Sequence, residues 1–329
     1  MKMNRTRLEL FILAFAILAC CGCNPDRGKL VFNPGLNGPR MVETSDRVSM
    51  KVKVVALDMA IETVKDVTYS MMPKSIDSEG AVTLDVTYEA VHFEAKGLGG
   101  LFDGIQGLPN VPKPESLQDP FGTVAMQQSL DGLKGETFTI VVEHSGAVAS
   151  VTGADAIATK IADAMAIPAH LSREEMRARV LKAYGDEGTR AILQGVFTKG
   201  PGKKLNPGDI WQESLTRADL PFPVKADRTY TLRARAEGVL TVDTKTQLAL
   251  ALTGDDMADA GAEPQHSRVE LSGEGTGAIQ IEEPTGWPIE GNVTAQVHGG
   301  LTLVRGLQFP LEATITSTVR SYPKFQAAP

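Results

Sequence analysis

The sequence predicts a mainly β protein of the α+β class. The expectation is two long-stranded antiparallel sheets, curved enough to make half-barrels, with two or three helices between the halves. Three observations carry it. First, long stretches alternate apolar and polar residues. The clearest sets Val82, Leu84, Val86 and Tyr88 against Thr83, Asp85, Thr87 and Glu89, the pattern of an antiparallel sheet with one wet face. Second, capping signals and helical periodicity are confined to the middle of the chain, over 153–198. Third, no cysteine follows Cys23, so no disulfide framework, thiol nucleophile or cysteine-based zinc site exists beyond it and stability must come from burial.

Residues 1–23 have the layout of a lipoprotein signal peptide. Lys2, Arg5 and Arg7 make a basic start, and Leu10 to Ala19 form an uncharged apolar run of ten residues. As a helix that run reaches ~15 Å, about half of a ~30 Å hydrocarbon core, so it is too short for a permanent span. Small residues and cysteines follow in a lipobox-like arrangement. Cys20 has Ala19 before it, Cys21 has the Leu18-Ala19 pair, and Cys23 follows Gly22. The candidate acylation site is Cys20 or Cys21, with Cys23 third; the alternative is ordinary cleavage with incidental cysteines. Two acyl chains suffice for a stable anchor. The expected address is the cell envelope, as an outer-membrane or periplasm-facing lipoprotein held to the membrane by its N-terminal lipid.

Residues 24–45 are rich in Gly, Pro and Asn and read as a flexible tether. The region 46–152 reads as an N-terminal antiparallel β region. Val48, Met50, Val52 and Val54 alternate, a turn falls near Asp58, and Ile61 to Tyr69 rises again until Pro73 breaks the pattern. After Ala90 the alternation of the Val82 strand slips, which predicts a bulge. Residues 97–120 form a long Gly/Pro-rich loop. It carries Leu98, Leu101, Phe102, Ile105 and Leu108, so it reads either as a cover over an apolar ligand or as an excursion without fixed structure. Phe138, Ile140 and Val142, a turn at His144-Ser145-Gly146, then Val148 and Val151 make a hairpin.

In the helical segment, Thr152 is the expected cap of a first helix, with Asp155 three residues on and Ile157, Ile161 and Met165 as its apolar stripe. A second helix has Ser172 and Glu175 as a capping box and Leu171 with Met176 as a staple, and it stops at Gly185. Thr189 to Val196 is a candidate third. The region 199–329 reads as a C-terminal β-meander after an irregular stretch over 200–223. Its expected strands are Tyr230–Ala236, Val239–Leu252, Ser267–Leu271, Ala278–Glu282, Asn292–Val297, Leu301–Val304 and Leu307–Val319. Ser272-Gly273-Glu274-Gly275-Thr276-Gly277 reads as a flexible hairpin loop, and Trp211 and Trp287 as anchors of strand ends.

Charge excludes some partners. The chain carries −7 overall; its first 23 residues hold three bases and one acid, which leaves 30 bases and 39 acids, or −9, beyond them. An acidic surface argues against nucleic acid. None of the five histidines lies three to five residues from another, so no helical metal pair is present. Asp255, Asp256 and Asp259 cluster without the spacing of a calcium loop. No nucleophile elbow, zinc-protease motif or phosphate loop occurs. The expectations are no catalytic residues, no metal and no cofactor.

The stretch LDGLKGETFTIVVEHSGAVASVTGADAI from Leu130, NPGDIWQESL at 206–215, the Tyr230-Thr231-Leu232 strand and GTGAIQIEEPTGWPIEGNV at 275–293 together resemble the bacterial lipoproteins of the DUF6263 type, an uncharacterised family. The Gly/Pro loop is longer than that resemblance leads one to expect. The resemblance implies a secreted, anchored, β-rich protein and brings no active residues. Two functions follow as expectations: a binding protein for lipid or another apolar ligand, or a non-catalytic structural module of the envelope that meets another envelope protein.

Overall fold

The computed structural model describes residues 28–54, 57–96, 130–165, 172–217, 224–252, 268–302 and 308–324. Among them lie eleven strands and three helices. In the N-terminal half these are β1 (Arg40–Val54), β2 (Leu57–Ile76), β3 (Val82–Lys96), β4 (Thr137–Val142) and β5 (Val148–Thr152). The helices α1 (Ala154–Ala164), α2 (Arg173–Tyr184) and α3 (Asp186–Gln194) come next. The C-terminal half holds β6 (Ile210–Arg217), β7 (Val224–Ala236), β8 (Val239–Leu252), β9 (Arg268–Glu282), β10 (Pro288–Thr302) and β11 (Gln308–Pro323).

The strands form one antiparallel sheet in the order β5-β4-β3-β2-β1-β11-β10-β9-β8-β7-β6, not two sheets. The join is β1 against β11, from Arg40↔Pro323 to Val52↔Leu311. Within each half consecutive strands pair antiparallel, some through tight turns as between β7 and β8, others through long connections as between β3 and β4. The long β1 then pairs with the last strand, which leaves neither half a free edge at the seam.

The sheet curls, and glycine explains where. Three alternate inward positions of β9 are Gly273, Gly275 and Gly277. A methyl group on Gly277 would lie 2.0 Å from the Asn292 carbonyl oxygen of β10, and one on Gly273 would lie 2.3 Å from that of Gln296. With hydrogen in place of methyl, β10 closes over β9 and the sheet creases. The stretch expected as a loop, Ser272 to Gly277, is therefore the middle of a 15-residue strand. Gly299 and Gly300 likewise sit inside β10, which was expected as two pieces. As a result Leu215 of β6 and Val224 of β7 share an apolar cluster with Val48 of β1 and Ala313 of β11, strands far away in sheet order.

Other differences have local causes. From residue 28 the expected tether is packed: Leu30 and Phe32 are buried, and the Phe32 N–H donates to the His144 carbonyl at 2.8 Å. Phe32 meets Phe197 and Trp287 edge-on at 5.0 Å each, so two apolar side chains in a Gly/Pro-rich run fill one end of the curl. β2 continues through Pro73, with a register shift between Pro73 and Ser75. The expected bulge in β3 is present: Thr68 pairs with Ala90 and Tyr69 with Tyr88, so Glu89 is the extra residue. Thr152 ends β5 and does not cap α1. The Asp155 and Asp186 carboxylates instead cap each other's helices, taking the Asp186 N–H at 2.8 Å and the Asp155 N–H at 3.1 Å. α2 runs to Gly185 as expected; Leu171 and the side chains of Glu175 and Met176 lie outside the described residues. Residues 210–217, expected as irregular, are β6.

Candidate functional site

The inner face of the curl has two apolar ends with a polar band between them. At the end where β2–β3, β7–β8 and β9–β10 turn, the helices cover β2 to β5 and the aromatic cluster of Phe32, Phe197 and Trp287 fills the interior. Leu30, Leu205 and Trp211 close the same end against β7 to β9. The Trp211 indole N–H donates to the Lys199 carbonyl at 3.0 Å, so both tryptophans anchor strand ends as expected.

At the opposite end, where β1, β3, β6, β8 and β10 run out, a small cavity of about 40 Å³ remains between the two limbs of the crease. Val48, Met50 and Ala313 line one side, and Val224, Leu248 and Leu250 the other; among the described residues no polar atom faces it. Met50, Leu271 and Ile315 on its wall are only half-buried, so it is a groove partly open to solvent.

The polar band is one register row deep on either side of mid-strand. Arg228 of β7 stands opposite Glu213 of β6 and Thr246 of β8, and Tyr230 stands opposite Thr244. Glu213 accepts from the Tyr230 hydroxyl at 2.9 Å and from the Gln194 amide at 3.0 Å. Burial raises its pKa, a push that the Tyr230 hydrogen bond and the Arg228 charge oppose. Burial likewise raises the pKa of Tyr230. Three atoms of the band have no hydrogen-bond partner: Arg228 Nε, Thr244 Oγ1 and Thr246 Oγ1. The next inward pair along β7 and β8 is Ala226 with Leu248, where the apolar groove begins.

Gln194 also ties the two sheet edges together. Its carbonyl oxygen accepts the Val148 N–H of β5 at 2.7 Å while its amide reaches Glu213 of β6. Edge strands that do not pair with each other are thus bridged by the last residue of α3.

The candidate acylation residues Cys20, Cys21 and Cys23 lie outside the described residues. So do the candidate cover residues Leu98, Leu101, Phe102, Ile105 and Leu108, and Asp255, Asp256 and Asp259. Among the described residues, no three His, Cys, Asp or Glu side chains converge as metal ligands. The band residues were missed in the sequence for a definable reason. Thr244 and Thr246 occupy the apolar phase of β8, between Val242 and Leu248, and a threonine there resembles the polar face seen elsewhere. Glu213 breaks the alternation of Trp211 and Leu215 in the same way.

A family described as "Family of unknown function (DUF6263)" matches residues 79–288. No curated protein matches the chain. Among solved structures, one titled "Lipid-protein interactions in lipovitellin" is similar at 6% identity and a TM-score of 0.39, over 90% of this chain and 26% of that one. This chain thus spans about a quarter of that protein's length. OccAB4 of Acinetobacter baumannii follows at 7% identity and a TM-score of 0.21, over 88% and 100% of the two chains. The translocator domain of autotransporter NalP from Neisseria meningitidis gives 5% and 0.21, over 88% and 89%.

Proposed function

We propose that this chain, which belongs to the DUF6263 family, is an exported, lipid-anchored protein of the cell envelope that binds one slender apolar chain inside its curled sheet. The observation that carries the reading is the groove between the limbs of the crease. Among the described residues its walls are apolar and it is partly open, and the polar band lies in the layer of side chains beneath it. A protein that needed only a solid core would gain by filling such a space, because interiors pack closely and each void costs contacts. A volume of about 40 Å³ suits a thread of methylenes and not a ring system.

Export and anchoring rest on the leader over 1–23. Acylation at Cys20 or Cys21 would place the folded part beside a bilayer, a source of acyl chains. The Leu98–Leu108 apolar residues would supply a cover. Among the described residues those lining the groove are all apolar, which supports a reading of binding without chemistry. The smallness of the cavity favours a second reading, a structural module of the envelope whose inner face is simply under-packed.

Native mass spectrometry of the full chain, purified from the envelope and then delipidated and re-exposed to single-chain lipids, tests the reading. The expected result is one bound lipid per chain. Labelling of cells with an alkyne palmitate should mark the wild type and fail when Cys20 and Cys21 are both changed to Ser. A protein that stays empty under every lipid belongs to the structural reading, and an unlabelled wild type removes the anchor.

A further inference from the structure

The chain enters the fold at the packed end and is fixed there. The Gly28 carbonyl accepts from the Leu205 N–H at 2.8 Å and from Arg235 Nη2 at 2.9 Å. Lys29 forms a β-bridge with Lys204. The Phe32 N–H donates to His144 in the β4–β5 turn, and the Asn33 N–H to the Thr285 carbonyl in the β9–β10 turn at 2.9 Å. Leu30 is 2% exposed and Phe32 1%. Two glycines make room for this strap. A methyl group on Gly200 would lie 2.2 Å from the Leu30 carbonyl oxygen, and one on Gly286, whose φ is +76°, would lie 2.2 Å from that of Val31. Residues 28–33 are thus part of the core and cannot swing away from it.

Strand β7 measures how far this point lies from the groove. Arg235, which holds Gly28, stands eleven residues along β7 from Val224, which lines the groove. At ~3.4 Å per residue the two are roughly 35 Å apart. The candidate acylation residues are closer to Gly28 than that. Cys20 precedes it by eight residues, Cys21 by seven and Cys23 by five. Whatever its course, a linker of eight residues spans at most ~29 Å and one of five ~18 Å. Pressing the groove end onto the anchoring bilayer requires Gly28 to stand farther from it than any of these linkers can stretch.

Resting on the anchor and the groove as read above, we infer that the groove takes its acyl chain from water, as a monomer, and not by direct contact with the membrane that carries the protein. That bilayer supplies only the chains that leave it. Each methylene lowers the escape of a lipid about fourfold. A two-chain lipid therefore stays in its bilayer under conditions where a single-chain amphiphile of the same length departs. The ligand class is the single-chain amphiphile.

The acylated full chain, anchored in phosphatidylcholine vesicles, tests this. A fluorescent fatty acid is supplied either in the protein's own vesicles or in protein-free ones, with total lipid equal in both arms. Loading should be equally fast from either source, and it should slow about fourfold for each methylene added to the probe. Faster loading from the protein's own vesicles would overturn the inference and leave the groove reading intact. Orientation is read separately, with a donor dye on an azide-bearing residue in place of Glu79, exposed in the β2–β3 turn, or of Glu312, exposed on β11 beside the groove wall. Acceptor lipid in the bilayer should quench the dye at 79 more strongly than the dye at 312. Equal or stronger quenching at 312 would overturn the inference. If no probe loads from either source, the groove reading falls and the inference with it; if the chain does not hold to vesicles, the anchor falls and the inference with it.

Discussion

Glu213 is the residue on which the inner polar band turns. It touches both a neighbouring strand, through Tyr230, and the bridging helix, through Gln194. Burial makes its carboxylate harder to ionise in the folded chain than in the unfolded one. The folded state therefore holds this proton more tightly. The contribution to stability is complete at pH below the ordinary glutamate range and is lost as pH rises through the higher folded value. Glu213→Gln cannot ionise. Urea unfolding midpoints measured across mildly acidic to neutral pH should fall for the wild type relative to Glu213→Gln, and parallel curves would show that the site does not titrate as described. Little of this was legible in the sequence. Arg228 and Glu213 face each other only through the β6–β7 register, and neither lies in a motif. The inward phase could be read from Val242 and Leu248, yet two threonines within it look like a wet face until β10 and the helices are in place.

At the scale of elements, the glycine row of β9 is what makes one sheet fold upon itself. Outward positions of the same strand, such as Thr276, are exposed. Gly277→Ala forces a methyl group to within 2.0 Å of a backbone oxygen, so β9 and β10 must part. We expect a loss of about 1–3 kcal/mol or more, as for an overpacked core, against a change within about 0.5 kcal/mol for Thr276→Val on the exposed face. Chemical denaturation of the two variants checks this; equal, small effects would mean that the crease is looser than drawn. The strands were legible wherever apolar residues alternate, as in β3, β4 and β8. They were not legible where glycine replaces the inward side chain, because a strand without inward side chains has no period to read. The α1 cap was misread for a similar reason. Asp155 serves α3, 31 residues away in the chain, and a capping signal read locally assigns it to the nearer helix.

For the whole molecule, the decisive contact is the seam between β1 and β11, which brings Val42 beside Ser321. Hairpins are local and can be inferred strand by strand; a pairing across nearly the full chain cannot, so the halves looked like two sheets. Once joined, the sheet has only β5 and β6 as edges, and α3 lies against both, with Gln194 tying them. Among the described residues the protein is thus a curled sheet, closely packed at one end and enclosing a small apolar groove at the other, with a polar band between. That asymmetry underlies the binding reading. The most direct test is titration of a fluorescent acyl probe into the delipidated full chain, beside Ala313→Leu, which puts added bulk into the groove wall. Saturable binding of one probe per chain, weakened by Ala313→Leu, is the result expected. No saturable binding, or binding indifferent to that substitution, would contradict the account.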